Sequence, residues 1–513
     1  MAALRPPGAA LLSRPHDFPP LAIHDAGAID RARQVLNAAG YTKSGIGQVL
    51  DLDPPGQQLR AGDLVRLSRL CGGSPLETLI RLFVMGHSVA EDQARRALAP
   101  MTLDEWTGLG FLQVSNSITT PLYELLVSDD LILALPIPAT KRPPSAETLE
   151  LRKALASPRN RLLEDLTIRR CSSATLDMNT GPGVHALLAA AHSTEILAID
   201  ASSHAVELAF FNARLNGFHQ IECCSGDVSE AVAQRTFDLV LCHPSLPIAP
   251  PPLIPSRRAR LPGDTGYEDI VRSVPRLLRP GGYAHILVQW AQLRGEDNEE
   301  RLRRWLAGNG CDAWMLRSAT QDPASYAQDW LPEPPDENLM PFQLRFDAWL
   351  AYYDQHGIEA VSSGLLTLRS RPGQKNWIVC EELPDRFGPC GEALVRGFNN
   401  HTLLSQLSGE ESLLSARLCV APETRWQQRS MPCADGWSVP SSQVELPVGL
   451  LRALEVDGNV ITLLAKCRGQ QSLSDSLNEL AASLGQDPAV VISEGIQLAR
   501  VLLEQGFVTV VND

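Results

Sequence analysis

The sequence predicts an α/β protein whose middle part is a doubly wound, mostly parallel sheet, and three observations support this. From about residue 174 to 370, apolar strands alternate with amphipathic helices. The first strand runs into a tight turn that contains two glycines, and the second strand ends in an acid. The flanking segments have different patterns, and 513 residues are too many for one core. We therefore expect a domain on each side of the sheet.

The sheet region is predicted from short apolar runs separated by helices. Its strands are expected at Ala174–Met178, Ile196–Ile199, Ile221–Cys224, Leu239–Cys242, Ala284–Gln289, Asp312–Arg317 and Gly364–Leu368. The main helices between them are expected at Val184–Ala191, Ala205–Asn216 and Glu268–Leu278. The last strands favour the antiparallel hairpin that often closes such a sheet.

The N-terminal part, residues 1–140, is predicted to be mainly helical. Its apolar residues recur at helical spacing in Ile29–Ala39, Ala61–Leu70, Pro75–Val84, Val89–Ala97 and Thr102–Gly110. A small hairpin is expected within Thr119–Leu135, with its turn at Ser128-Asp129-Asp130. A proline-rich connector then leads into the middle part, residues 141–372.

The C-terminal part, residues 373–513, is predicted to end as a winged-helix-like segment. Ser472 is placed to cap a helix to Leu484, and Asp487 precedes a helix to Glu504. Strand residues follow Gly506. In about the last 70 residues the basic side chains are few, namely Arg452, Lys466, Arg468 and Arg500. That is too sparse for phosphate contacts.

Composition narrows the possible partners. The net charge of −14 disfavours general nucleic-acid binding. The 11 cysteines form no C-x-x-C pair, and no cluster has the spacing of metal ligands, so we expect reduced thiols and no metal. We find no run of about 20 apolar residues, as a membrane span requires. A cytoplasmic protein without membrane contact is expected.

The strongest functional pattern is the turn Asn179-Thr180-Gly181-Pro182-Gly183 followed by Asp200 at the end of the next strand. Glycines let the backbone turn sharply and approach a ligand, and an acid at this position can accept hydrogen bonds from two ribose hydroxyls. Because ligands bind at the carboxyl ends of parallel strands, the pattern predicts a nucleotide site.

Three further features follow later strands. Gly226-Asp227 follows the third strand, and Asp227 is placed to accept from an adenine amino group. His243-Pro244-Ser245-Leu246 follows the fourth, and Gly281-Gly282 marks a turn into the fifth. A dinucleotide dehydrogenase shares the first turn, because Gly181 to Ala186 fits G-x-G-x-x-A.

Residues Thr175 to Gln289 resemble the class I S-adenosylmethionine-dependent methyltransferases. They are most similar to the small-domain branch with release-factor glutamine and ribosomal-RNA guanine methyltransferases. Asn212 to Gly217 (NARLNG) matches that branch's N-x-x-x-N-G run. With Asp227 and His243-Pro244, this favours the methyltransferases over the dehydrogenases. The flanks, and Gln321-Asp322-Pro323 with Tyr326 and Trp330, resemble a bacterial family of three-domain methyltransferases.

The resemblance implies a doubly wound Rossmann-like methyltransferase sheet that binds S-adenosyl-L-methionine. The cofactor-binding residues it implies are Asp177, Asn179, Thr180, Gly181, Gly183, Asp200, Ala201, Asp227, Val228 and His243. His243 and Ser245 would be catalytic, and Pro244, Leu246 and Tyr267 would contact the acceptor.

The fourth motif departs from the Asn-Pro-Pro-Phe/Tyr of the branch. Imidazole replaces the carboxamide, and the aromatic residue is absent. The usual grip on an amide or a base nitrogen is therefore disfavoured. A histidine near neutral pKa can instead remove a proton or orient the acceptor.

The predicted function is N- or O-methylation of a small molecule or of a peptide or protein side chain. Two alternatives stay open. The altered motif could permit aminocarboxypropyl transfer or ring closure of the cofactor, which releases methylthioadenosine. The C-terminal segment could instead make the chain a peptide- or carrier-binding accessory protein.

Two features near the fourth motif have competing interpretations. The segment Ile248 to Thr265 could form a lid whose Arg257, Arg258 and Arg260 grip an acidic substrate, or it could be an exposed loop. Trp290, after the fifth strand, is interpreted as a packing residue.

Overall fold

A computed structural model describes residue 21 and residues 25–50, 73–128, 131–137, 158–226, 228–232, 235–250, 263–331, 340–407, 409–433 and 436–511. The fold is α/β, with a large central mixed sheet of Rossmann-like type. The chain divides into two compact units. The first unit comprises residues 1–156, 180–191 and 195–231, and the second comprises residues 157–179, 192–194 and 232–513.

The helices of the described residues are α1 (Ala26–Ala38), α2 (Lys43–Leu50), α3 (Pro75–Leu79), α4 (Glu91–Ala97), α5 (Leu103–Gly108), α6 (Pro158–Leu166), α7 (Val184–Ala189), α8 (Ser203–Leu215), α9 (Val228–Ala231), α10 (Thr265–Ser273), α11 (Asn298–Leu306), α12 (Pro323–Trp330), α13 (Met340–Gln355), α14 (Gly391–Gln406), α15 (Glu410–Leu414), α16 (Gly458–Lys466), α17 (Leu473–Leu484) and α18 (Pro488–Glu504). A π-helical segment, Ile80–Val84, continues α3, and a 3₁₀ turn, Val274–Leu277, follows α10.

The strands of the same residues are β1 (Val89–Ala90), β2 (Leu112–Ser115), β3 (Ile118–Pro121), β4 (Tyr123–Ser128), β5 (Leu131–Pro136), β6 (Ser172–Met178), β7 (Ser193–Asp200), β8 (Ile221–Ser225), β9 (Phe237–Cys242), β10 (Leu278–Leu293), β11 (Cys311–Gln321), β12 (Ile358–Ser370), β13 (Ile378–Glu382), β14 (Leu418–Val420), β15 (Arg425–Cys433), β16 (Gly436–Glu445), β17 (Ala453–Glu455) and β18 (Val508–Val510).

The first unit starts as the predicted helical region, with two small antiparallel sheets in addition. Ser74 and Thr102 begin α3 and α5 with capping boxes, which satisfy backbone N–H groups at each helix start. Strands β1, β3 and β2 form one sheet, and β4 pairs with β5 as the predicted hairpin. The helix expected at 61–70 lies outside the described residues.

An aromatic core joins the N-terminal helices to α8 within the first unit. Phe111 packs against Phe211 of α8 with ring centroids 5.1 Å apart, and Phe83 stacks on Trp106 at 5.7 Å. These four rings are fully buried. The amphipathic helix α8 is thus held on one face by the N-terminal region, while β7 and β8 form a parallel pair.

The second unit contains a six-strand series in the order β13-β11-β12-β10-β9-β6. Strand β9 pairs in parallel with both β6 and β10, as βαβ connections require. Strand β12 runs antiparallel to both β10 and β11, which confirms the expected closing hairpin. Strand β13, which the sequence did not predict, pairs in parallel with β11, so the series continues past residue 372.

The end of the second unit packs around its own core. Leu477, Ala499 and Phe507 are buried there. Ser472 accepts from the backbone N–H of Asp475 at 3.1 Å, and Asp487 accepts from that of Ala489 at 2.9 Å, so both predicted caps are confirmed. Strand β18 pairs with the earlier strand β14.

No helix in the described ranges is long and apolar enough to cross a membrane.

In the second unit, the buried His285 of β10 links strand β12 to the segment between α6 and β6. The backbone N–H of Ile168 donates to Nε2 of His285 on β10 at 3.1 Å. Nδ1 therefore carries the proton, and it lies 3.1 Å from the hydroxyl of Thr367 on β12. Burial lowers the pKa of His285 to about 3. In the first unit, burial likewise lowers the pKa of His185 to about 4.

These two histidines should make the protein less stable in acid. Their folded pKa values lie below the unfolded value of about 6.5, so the stabilisation is complete above pH 6.5 and is lost as pH falls from there toward about 3 for His285 and about 4 for His185. Within that window, each histidine lowers the free energy of unfolding by about 1.4 kcal/mol for each pH unit of acidification. His285→Gln keeps an acceptor for Ile168 but cannot take up the proton.

Urea unfolding between pH 7 and pH 5 measures this loss. Below pH 6.5, the free energy of unfolding of His285→Gln should fall less steeply than that of the natural chain, by about 1.4 kcal/mol per pH unit. The matched variant His219→Gln controls for the replacement of an imidazole at an exposed position. If the free energy of unfolding of His285→Gln falls with pH as steeply as that of the natural chain, burial of His285 is not the cause of the acid sensitivity.

Candidate cofactor and acceptor sites

The glycine turn of the first unit has the backbone shape that the sequence predicts. Gly181 and Gly183 have φ of +53° and +90°, which side chains disfavour. The N–H of Thr180 donates to the carbonyl of Ile199 on β7 at 3.0 Å. A Cβ on Gly183 would lie 3.1 Å from the Cβ of Ala209 in α8, a tight contact, so the close approach of α7 and α8 also favours glycine.

Asp200 ties this turn to the start of α8. One carboxylate oxygen accepts from the N–H of Gly181 at 3.0 Å, and the other accepts from the N–H of Ser202 at 2.9 Å. Ser202 in turn caps α8. A carboxylate offers about four acceptor positions, so one carboxylate can bond to backbone N–H groups and to a ligand hydroxyl at the same time. Asp200 therefore has the position and the chemistry to hold a ribose.

The other predicted residues of the first unit are distributed as follows. Ala201 lies in the exposed bend after β7, and Val228 begins α9. The N–H of Gly226 donates to the carbonyl of Asp200 at 3.0 Å. Asp227 lies outside the described residues.

The two asparagines of N-x-x-x-N-G bind the edge of the β4–β5 hairpin. The side chain of Asn212 accepts from the N–H of Ala134 at 2.8 Å and lies 3.4 Å from its carbonyl. Asn216 accepts from the N–H of Ile132 at 2.9 Å and donates to its carbonyl at 2.7 Å. Four helical residues rise about 6 Å and two strand residues about 6.7 Å, so the two amides match successive edge positions. The asparagines take the place of a neighbouring strand.

The glycine that completes the run ends α8. Gly217 has φ of +79°; its N–H bonds to Arg214, and that of Phe218 bonds to Ala213, both at 2.9 Å. This is a Schellman motif, in which a left-handed residue satisfies the last helical carbonyls. A Cβ on Gly217 would also collide with Nη1 of Arg33.

The second unit holds the other group of predicted residues. Asp177 is fully buried in β6, and Asn179 follows that strand with φ of +59°. His243 follows the neighbouring strand β9, and its N–H lies 3.4 Å from the carbonyl of Met178. The parallel pairing of β6 and β9 thus places Asn179 and His243 at adjacent strand ends.

His243 lines a small recess within the second unit that is partly open to solvent; its empty volume, open solvent included, is about 240 Å³. The residues that line it are Leu162, His243, Pro244, Tyr267, Leu287, Val288, Gln289, Ser318, Ser363 and Gly364. His243 carries the one imidazole among them, the side chain type that commonly serves as a general base. Ser245 is exposed, Leu246 is buried, and neither lines this recess. The structure therefore groups His243 with Pro244 and Tyr267, but not with Ser245 or Leu246.

A buried glutamine that the sequence analysis missed fixes one wall of the recess. Oε1 of Gln289 lies 3.0 Å from the Tyr267 hydroxyl and 2.9 Å from that of Tyr326. The Tyr326 hydroxyl already accepts from the N–H of Ile248 at 3.1 Å, so its proton points to Gln289. The amide orientation of Gln289 follows from this. A polar residue inside the apolar run ILVQW was the available signal.

Tyrosines also hold both stems of the segment for which the sequence left a lid and an exposed loop as alternatives. The Tyr353 hydroxyl donates to the carbonyl of Ile248 at 2.8 Å, and the N–H of Gly263 donates to the Tyr352 hydroxyl at 2.7 Å. Asp264 is buried and pairs with Arg301. Residues 251–262, with Arg257, Arg258 and Arg260, lie outside the described residues.

Two remaining expectations concern packing and metals. Trp290 is 2% exposed, which confirms it as a packing residue. Within the described stretches, no three His, Cys, Asp or Glu side chains come together as metal ligands would.

Sequence comparison places these features in a known kind of domain. Residues 172–323 match the family described as "Methyltransferase domain". Residues 38–121 match "Domain of unknown function (DUF7059)", and residues 396–510 match "Domain of unknown function (DUF7782)". Residues 172–323 are therefore similar to methyltransferase domains. Comparison with curated proteins found no match.

Solved structures with a similar fold include three of different origin. The [4+2]-cyclase SpnF is 19% identical, with 42% of this chain and 80% of that chain covered and a TM-score of 0.27. YjhP from E. coli is 18% identical over 44% and 100%, with a TM-score of 0.28. Precorrin-6y C5,15-methyltransferase from Geobacter metallireducens is 12% identical over 41% and 88%, with a TM-score of 0.24. At such identities and scores, none of them bears on what this chain binds.

Proposed function

We propose that this chain is a class I S-adenosylmethionine-dependent methyltransferase that methylates a nitrogen or an oxygen of a small molecule or of a peptide or protein side chain. The observation that carries the proposal is Asp200, which ends β7 inside the matched domain and holds the Gly181 turn through a 3.0 Å hydrogen bond. The turn and the acid are the parts that hold a nucleoside in Rossmann-like sheets.

The residues present fit the cofactor. S-adenosylmethionine supplies a methyl group on a positively charged sulfur. Asp200 and the left-handed Gly181 would bind its ribose and approach it closely, with Thr180 and Gly183 shaping the turn. Asp177, Asn179, Ala201, Asp227 and Val228 are proposed as further cofactor contacts.

The recess at His243 supports an acceptor without a formal charge. Among the described residues, its lining offers hydroxyl and amide groups but neither a carboxylate nor a guanidinium. An amine or hydroxyl acceptor must have its lone pair free, and His243 is placed to take the proton. Pro244 and Tyr267 would position the acceptor, whereas Ser245 and Leu246 lie off this recess.

The finer classification is also proposed. The N-x-x-x-N-G run supports the small-domain branch, with a fourth motif that has lost its asparagine and aromatic residue. A three-part division at residues 1–140, 141–372 and 373–513 is supported because each of the three matched stretches falls inside one part.

The test is incubation of the protein with S-adenosylmethionine and a bacterial extract, with mass spectrometry of both nucleoside by-products. Formation of S-adenosylhomocysteine, and its binding by calorimetry, are expected. Methylthioadenosine formed without extract would contradict methyl transfer and indicate reaction at the aminocarboxypropyl arm. Absence of both products and of binding would overturn the proposal in favour of a peptide- or carrier-binding protein.

A further inference from the structure

Asn212 makes a contact that Asn216 lacks. Besides its bonds to Ala134 on the hairpin, its side-chain NH₂ donates to the carbonyl of Pro182 at 2.9 Å. Pro182 stands between Gly181 and Gly183 in the turn described above. One amide thus connects the hairpin edge, helix α8 and the glycine turn.

The contact lies where water cannot replace it. Asn212 is fully buried, and Pro182 is buried as well. A buried carbonyl left without a donor is costly, so the turn would have to change its backbone to find another partner. Gly181 and Gly183 flank that carbonyl, and a change there would alter the hydrogen bond from Gly181 to Asp200.

We propose that Asn212 is a positioning residue for the cofactor turn, through which the β4–β5 hairpin sets the shape of the turn and the affinity for the cofactor. This inference rests on the proposed function, which identifies the cofactor as S-adenosylmethionine. It assigns a binding role to a hairpin that lies outside the matched methyltransferase stretch.

The substitution Asn212→Asp isolates this role. Aspartate keeps an oxygen for the N–H of Ala134 and replaces the NH₂ that donates to Pro182 by a second oxygen. Asn216→Asp is the matched control, because it makes the same change on the same helix and weakens the same hairpin. The NH₂ of Asn216 donates to Ile132 and to the backbone of Asn212, not to the turn.

Two measurements compare the variants. Calorimetry with S-adenosylhomocysteine should give at least tenfold weaker binding for Asn212→Asp and a change within threefold for Asn216→Asp. Hydrogen exchange of the unliganded protein should be faster over residues 180–184 in Asn212→Asp alone. Thermal unfolding should show that both variants are folded at the temperature of the binding measurement, with the larger loss of stability in Asn212→Asp because Asn212 is fully buried and Asn216 is only partly buried.

Equal weakening of binding and equal exchange in the two variants would overturn the inference and leave Asn212 a structural residue of the hairpin. If the natural chain does not bind S-adenosylhomocysteine, the proposed function fails separately. The exchange contrast, measured without ligand, then still decides whether Asn212 positions the turn.

Discussion

Replacing His243 by asparagine should lower the rate of S-adenosylhomocysteine formation about 10²- to 10⁴-fold, the range typical for loss of a general base. The carboxamide is close in size to imidazole but takes up no proton near neutral pH. Binding of S-adenosylhomocysteine should stay within about threefold of that of the natural chain, because His243, which the resemblance also implied as a cofactor contact, lines the recess proposed for the acceptor. Calorimetry and mass spectrometry on the same preparation separate the two effects.

The exposed histidine variant His219→Gln serves as the control and should retain the natural rate. Asparagine at position 243 also restores the first residue of the Asn-Pro-Pro motif. Full activity of His243→Asn would therefore show that the site grips a planar amide or amino group after all, and it would contradict a proton-accepting role for His243.

Replacing Asp200 by alanine should weaken binding of S-adenosylhomocysteine about a hundredfold or more. The variant loses the acceptors for the N–H groups of Gly181 and Ser202 as well as the proposed ribose contact. Hydrogen bonds to a charged group are worth about 1.5–3 kcal/mol each, and about 2.8 kcal/mol corresponds to a hundredfold in Kd.

Glu195→Ala is the matched control, since Glu195 is an exposed acid on the same strand. Asp200→Asn keeps one acceptor oxygen and should bind with intermediate affinity. Thermal unfolding of each variant distinguishes weak binding from a loss of fold. Binding by folded Asp200→Ala within threefold of the natural value would remove Asp200 from the cofactor site.

Local signals in the sequence predicted the elements whose boundaries are set locally. The starts of α17 and α18 follow from the N-caps Ser472 and Asp487, whose side chains accept from N–H groups two or three residues further on. The glycine turn and Asp200 were predictable for a similar reason, because left-handed backbone at Gly181 and Gly183 restricts residue type.

Features that depend on distant pairing were not predictable. Gly281-Gly282 suggested a turn before the fifth strand, yet β10 begins at Leu278 and passes through these glycines with a shift in its pairing to β9. Strand β13 was missed because its partner β11 is far away in the sequence. The role of Gln289 on β10 depends on the hydroxyls of Tyr267 and Tyr326, which two helices distant in the sequence bring to it.

The geometry of an α-helix limits how many asparagines of α8 can bind the edge of the hairpin. Successive residues of a helix turn by about 100°, so a side chain four positions on has rotated about 40° past its predecessor. A straight strand edge can therefore be followed by two amides, while a third would already point about 80° away from it. The helix ends at this limit: its last residue is Leu215, Asn216 is its C-cap, and Gly217 follows. A longer run of asparagines at this spacing would gain no further grip on the hairpin.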